Sequence, residues 1–249
     1  MSTTSARHPR PYDEPPATRD PRPPLGLAGL ASEWRTALLP ARLVLGSPRL
    51  ARAPRGDGGP VVLVPGWLAP EASMTPLRLY LRRLGHDATG WGLGTNRGDP
   101  ERDAGILADR VVALHARTER PVALVGWSLG GLVAREVARR VPDAVSRVVT
   151  YGTPVVGGPT FTIGATSYGE AECRRIRALA EELDGRDPIR VPITAIFTRR
   201  DHVVDWPACL DRVSPRVRHV EVGSTHLGLG LDPHVWETVA VALDPTAAP

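Results

Sequence analysis

The sequence contains no lysine and no glutamine, and Asn96 is its only asparagine. All 31 basic residues are therefore arginine, set against 27 acids for a formal net charge of +4. Such a wholesale replacement of lysine by arginine reflects genomic base composition, so a pI near 9.6 is poor evidence for a nucleic-acid partner. Acids are interleaved with the arginines, and there is no contiguous basic stretch or aromatic platform. Two cysteines, Cys173 and Cys209, are too few for a disulfide scaffold, and no Cys/His spacing resembles a zinc site. A bridge between them is disfavoured by the rarity of disulfides in reducing compartments. No apolar run approaches the roughly 18–20 residues of a membrane-spanning helix. The first 24 residues, with seven prolines and four arginines, lack the apolar segment of about 7–15 residues that a secretory signal needs. The expected location is the cytoplasm.

What is present is ordinary for a globular chain. The 249 residues are 42% hydrophobic and 23% charged, enough for one large domain or two small ones. Residues 1–24 read as a disordered, partly polyproline tail. Residues 25–58 read as a helical arm and linker, with Leu27, Leu30, Trp34 and Leu38 at roughly helical spacing and a break at Pro40. Residues 25–50 could touch a membrane surface weakly, with Arg35, Arg42, Arg49 and Arg52 facing lipid headgroups; packing on the following domain is the plainer expectation. From residue 59 to 249, strands and helices alternate. Strands are expected at Val61–Val64, Ala88–Trp91, Val122–Val125, Val145–Thr150, Ile193–Thr198 and Val217–Val222. Helices are expected near Thr75–Leu84, from Asp99–Pro100 to Arg120, at Leu129–Arg140, and at His234–Leu243. This order predicts an α/β fold with a mostly parallel central sheet and helices on both faces. A Gly/Thr-rich stretch followed by a helix, about residues 154–192, interrupts the alternation. It would lie near the C-terminal ends of the strands as a short lid-like insertion or a simple crossover.

The strongest chemical signal is Gly126-Trp127-Ser128-Leu129-Gly130, between a buried strand and a helix. A serine hydroxyl attacks well only when it is presented outside the sheet and loses its proton to a base. A sharp strand-to-helix turn presents it, with glycine flanks because side chains there would collide. An oxyanion formed in the attack needs donors, each worth about 3–4 kcal/mol. The N–H of Leu129, after the serine, is one; the N–H of Trp67, in Pro65-Gly66-Trp67-Leu68 after the first buried strand, is the other. The base should be a histidine from another loop. His226, in Gly223-Ser224-Thr225-His226-Leu227-Gly228 after the last strand, is preferred over His202 and His234. The orienting acid is expected in Asp201-His202-Val203-Val204-Asp205. Asp201, just beyond its strand, is preferred over Asp205, which looks like a helix N-cap. Leu68, Trp127 and Phe161 are candidate lining of an apolar substrate pocket.

The motifs VVLVPGW, VALVGWSLGG, VTYGTP, TRRDHVVDW and GSTHLGLG, in this order over residues 59–243, resemble the α/β-hydrolase superfamily, and within it compact bacterial lipases and esterases. The resemblance implies Ser128 as nucleophile, Asp201 as acid, His226 as base, and Trp67 and Leu129 as oxyanion donors. It implies a serine esterase acting on a small-molecule or lipid-like ester of moderate to long acyl chain, with no metal and no cofactor. Two departures stand out. Many relatives have His-Gly where this chain has Pro65-Gly66, and the insertion is shorter than the large caps of some lipases. A thioesterase or acyltransferase would use the same three residues. A non-enzymatic binding protein on the same fold is the alternative from another class.

Overall fold

The computed structural model describes residues 10–12, 15–16, 18–23, 43, 46 and 48–244. Six strands run parallel: β2 (Pro60–Val64), β3 (Asp87–Gly90), β4 (Val122–Trp127), β5 (Val145–Tyr151), β6 (Ile193–Phe197) and β7 (Val217–Glu221). A short strand β1 (Arg10–Tyr12) pairs antiparallel with β7, giving the order β1-β7-β6-β5-β4-β2-β3. The helices are α1 (Thr75–Arg83), α2 (Pro100–Thr118), α3 (Leu129–Arg140), α4 (Ala165–Tyr168), α5 (Glu170–Arg186) and α6 (Pro233–Leu243).

The period-2 geometry of a strand sends alternate side chains to opposite faces, so a strand covered on both sides is apolar throughout. In β2, Val61 and Leu63 join a core under α1 and α6, with Leu77, Leu81, Val235 and Val239. Val62 and Val64 join a second core under α2 and α3, with Leu107, Val111, Val133 and Val137. β4 divides in the same way, Ala123 and Val125 to one face and Val122 and Leu124 to the other. Asp99 caps α2 by accepting the Arg102 N–H at 3.1 Å, and Pro100 follows at the first helical position, where no N–H is needed.

The N-terminal expectation needs correction where the structure describes it. Residues 1–24 do not all form a solvated tail: Arg10–Tyr12 add to the β7 edge, in register with Glu221, Val220 and His219. Further on, the Arg19 guanidinium and the Arg22 backbone N–H both bind Asp205. Edge strands offer unpaired backbone groups, and three extended residues suffice to cover part of this one. Most of the expected helical arm, residues 25–42, lies outside the described residues, and so does most of the stretch considered for membrane contact. Its end is helical at residues 43, 46 and 48–50 and packs on the domain. Leu50 is buried with Leu43 against the α1–α6 core, Tyr80 donates to the Leu50 carbonyl at 3.1 Å, and Arg49 pairs with Glu237 at 3.2 Å.

The insertion between β5 and β6 contains a short 3-10 turn at Gly158–Phe161, then α4 and α5. The far end of α5 is tied to α3. Arg139 pairs with Asp184 at 2.5 Å and donates to the carbonyls of Leu183 and Asp187, while Arg135, four residues earlier, pairs with the buried Asp211. Cys173 and Cys209 are both buried, free thiols.

Candidate active site

β4 ends in the turn that carries Ser128, and α3 starts at the next residue. Ser128 has φ 52° and ψ −122°, a left-handed backbone that a side-chain-bearing residue rarely adopts. Such a residue costs of order 1–3 kcal/mol and persists only when its surroundings hold it. Its N–H donates to the Tyr151 carbonyl and its carbonyl accepts from Gly131, both at 2.9 Å. The glycine flanks are steric necessities. A Cβ on Gly126 would sit 2.5 Å from the Gly130 oxygen, and one on Gly130 would overlap the carbonyl oxygen of Val64.

The loop after β2, where the sequence suggested an oxyanion donor, is held by the single asparagine. Asn96 is fully buried. Its side-chain amide donates to the Pro65 carbonyl at 2.8 Å, and its own carbonyl accepts the Leu68 N–H at 2.8 Å. Its N–H donates to Ala69 at 3.1 Å, and its side-chain oxygen accepts from Gly98 at 3.0 Å. Leu68 takes φ 57° in this grip. Among the described residues, the backbone N–H groups of Trp67 and Leu129 meet no intramolecular acceptor. In the sequence the signal at Asn96 is compositional only, a lone asparagine in the chain.

The loops after β6 and β7 bring Asp201 and His226 together, Nδ1 to Oδ2 at 2.7 Å. Both side chains are essentially buried, at 0% exposure for Asp201 and 3% for His226. The other carboxylate oxygen of Asp201 accepts the N–H groups of Val203 at 2.9 Å and Val204 at 2.7 Å, so its lone pairs are occupied and its direction is set. Thr198 links the two loops, its hydroxyl donating to the Ser224 carbonyl at 2.6 Å. The Trp127 ring lies 6.2 Å from the His226 ring, centroid to centroid.

Ser128, His226, Trp67 and Leu129 line one cavity of about 130 Å³. Trp127, Val203 and Leu227 add apolar wall, and the insertion contributes Pro159, Ile163 and Tyr168. Tyr168 packs on Trp67 at 5.7 Å and donates its hydroxyl to the Gly98 carbonyl at 2.9 Å. Of the three expected pocket residues only Trp127 is in the lining. Leu68 is 61% exposed, because its left-handed backbone turns it to solvent, and Phe161 packs instead with Phe197, Val204 and Leu210 beneath the acid loop. The rival histidines are elsewhere: His202 is exposed, and His234 lies on α6 within 3.3 Å of Arg49. Asp205 does precede a 3-10 turn, but its side chain makes no cap and instead accepts from Arg19 and Arg22.

A parallel sheet covered on both faces, a serine at a strained strand–helix turn, and an Asp–His pair on later loops of the same sheet edge define the α/β-hydrolase class of protein. The chain belongs to the alpha/beta hydrolase family, whose sequence profile matches residues 61–247. It is similar to the pimeloyl-[acyl-carrier protein] methyl ester esterase of Chromobacterium violaceum, 34% identical over 133 residues, 52% of this chain and 49% of that protein. The esterase of the same name from Aliivibrio salmonicida is 32% identical over 110 residues, 43% of this chain and 39% of that one. The chain thus matches less than half the length of these curated relatives. Among solved structures, Aspergillus fumigatus lipase B superposes with TM-score 0.55 and 19% identity over 76% of this chain and 54% of its own. The metagenome-derived lipolytic enzymes LipS and LipT give TM-score 0.55 and 16% identity, covering 76% and 94%. At these identities the likeness is one of fold.

Proposed function

We propose that the protein is a carboxylic ester hydrolase working through Ser128, His226 and Asp201. The observation that carries the reading is the buried Asp201–His226 hydrogen bond at 2.7 Å, opening on the same cavity as the strained Ser128. With Nδ1 facing the carboxylate, the other ring nitrogen is left to accept the Ser128 proton as its oxygen attacks the ester carbonyl. The developing oxyanion meets the N–H groups of Trp67 and Leu129, and the dipole of α3 favours the same negative charge. His226 returns the proton to the departing alcohol. Water, deprotonated by the same ring, then cleaves the acyl-enzyme and frees the acid.

The cavity argues for a smaller acyl group than the moderate to long chain expected from the sequence. About 130 Å³ is close to the roughly 150 Å³ cavity that accepts benzene, so the walled part of this open cleft takes a group of about six heavy atoms. A simple alcohol such as methanol as leaving group fits the chemistry named for the curated relatives, whose substrates are methyl esters. The test is a series of nitrophenyl and methyl esters of increasing acyl length, assayed with the wild type and Ser128→Ala. Turnover should peak at short acyl groups and fall about 10⁴-fold or more in the variant. Undiminished turnover in Ser128→Ala would refute the mechanism, and a maximum at long chains would refute the size argument. Faster cleavage of acyl-thioesters than of oxygen esters of equal length would assign thioesterase chemistry instead.

A further inference from the structure

The acid and base loops leave the sheet from adjacent strands, β6 and β7, and the N-terminal leader touches both. β1 lies antiparallel along β7, with Arg10 opposite Glu221, the last residue of the strand that leads to His226. Further along the leader, Arg19 grips the Asp205 carboxylate with both terminal nitrogens, each at 2.7 Å, and the Arg22 N–H adds a third bond at 2.6 Å. Two parallel charge-assisted bonds set direction as well as distance. Asp205 closes the loop that begins at Asp201, and its carboxylate is only 11% exposed. The loop's inner side is held by the insertion: the Asp205 N–H donates to the Phe161 carbonyl at 3.0 Å and the Ile163 N–H to the Val203 carbonyl at 2.9 Å. Its outer side is held by the leader. Arg199 ties the two loops as well, lying 4.2 Å from the Trp206 ring centroid and 3.2 Å from Glu221. Val203 and Val204 complete the path, since their N–H groups aim the Asp201 carboxylate.

We propose that the leader is a brace for the catalytic pair, with Arg19 and Asp205 as positioning residues that fix the acid loop so that Asp201 meets His226. The proposal rests on the catalytic reading above but adds Arg19, upstream of the 61–247 family match, as the partner of Asp205 within it. Neither Arg19 nor Asp205 touches substrate. Their effect passes through the backbone of residues 201–205 to the carboxylate, and a loosened carboxylate holds the imidazole less well in the attacking geometry.

The test uses the full chain with Arg19→Ala, Arg19→Lys, Asp205→Asn, the double variant Arg19→Ala/Asp205→Asn, and Ser128→Ala, each assayed on a short nitrophenyl ester. Arg19→Ala and Asp205→Asn should each lower kcat about tenfold with KM nearly unchanged, in line with the cost of small misplacements of catalytic groups. The double variant should be no worse than either single one, because both break the same contact. Arg19→Lys, which keeps the charge but loses the fork, should recover part of the loss. The far-downfield proton resonance of the His226–Asp201 hydrogen bond should weaken or move in the two single variants and return in Arg19→Lys. Arg19 is on the surface, so folding should survive its substitution, and a thermal melt checks it. Wild-type kcat and an unmoved resonance in Arg19→Ala and Asp205→Asn, with or without a lower melting temperature, would overturn the brace while leaving the triad standing. Retained turnover in Ser128→Ala would overturn both.

Discussion

Ser128 and Leu68 are two of the few side-chain-bearing residues with positive φ, at 52° and 57°; Ser128 lines the cavity, and Leu68 follows the lining residue Trp67. Each is held by hydrogen bonds from a neighbouring strand or loop, Ser128 by Tyr151 and Leu68 by Asn96. Strain concentrated beside both proposed oxyanion donors, Trp67 and Leu129, means that their aim depends on those restraints. Asn96→Asp would put a carboxylate oxygen against the Pro65 carbonyl where an amide now donates at 2.8 Å. Removing one oxyanion donor outright costs about 10²–10³ in kcat, and a misaimed Trp67 N–H should cost about tenfold or more with little change in KM. Affinity for a boronic-acid analogue of the tetrahedral intermediate should fall in proportion; an unchanged affinity would show that Asn96 does not govern the Trp67 donor. Ser128, Asp201 and His226 stand out in the sequence as candidates because each follows an apolar strand within a turn-forming cluster. Asn96, Thr198 and Arg19 do not, because their roles are contacts with segments 26 to 186 positions away.

At the scale of elements, α3 serves two purposes: its first turn presents Ser128, and its last two turns hold the insertion. Arg135 and Arg139, one turn apart, meet Asp211, Asp184 and the end of α5. Burial pushes the Asp211 carboxyl up, but the Arg135 guanidinium, with the N–H groups of Ser214 and Val213, outweighs it and holds the pKa down from 3.8 to about 2. The folded form therefore binds this proton less readily than the unfolded chain. The pair's contribution is present in full above the unfolded value and is lost as pH falls toward about 2. Arg135→Ala leaves a buried carboxylate without its cation and should destabilise by about 3–5 kcal/mol in denaturant titration. A loss under 1 kcal/mol would mean that water replaces the guanidinium. The charged face of α5 shows why arginine content misleads here, since Arg174, Arg175, Arg177 and Arg186 are each paired with a glutamate three or four residues away. Periodicity found α5; it could not show which end would be tied down.

For the molecule as a whole, two buried histidines away from the cavity set a limit at mildly acidic pH. His219, on β7 beside the leader strand, is buried, and that burial lowers its pKa from 6.5 against the opposing pull of Asp211. His86, after α1, is lowered mainly by burial too. Because the unfolded chain takes up these protons first, stability should decline as pH drops below about 6.5 and level off once both are protonated in the folded form. Denaturant midpoints at pH 7.5, 6.5 and 5.5 should fall in that order, and His219→Leu should flatten the decline. Equal midpoints across this range would show that both rings accept protons without cost. Among the described residues no helix is long and apolar enough to cross a membrane.

The chain order of buried strands, turn clusters and amphipathic helices determined the α/β architecture by itself, because burial on both faces of a parallel sheet demands that pattern locally. The same local logic placed the proposed nucleophile, acid and base at the ends of their strands. Only the tertiary structure decided which bulky residues wall the cavity, turning Leu68 outward and Phe161 under the acid loop. It alone brought the leader from the far end of the sequence onto β7 and Asp205, since such contacts depend on where the sheet delivers its edges and not on any spacing along the chain.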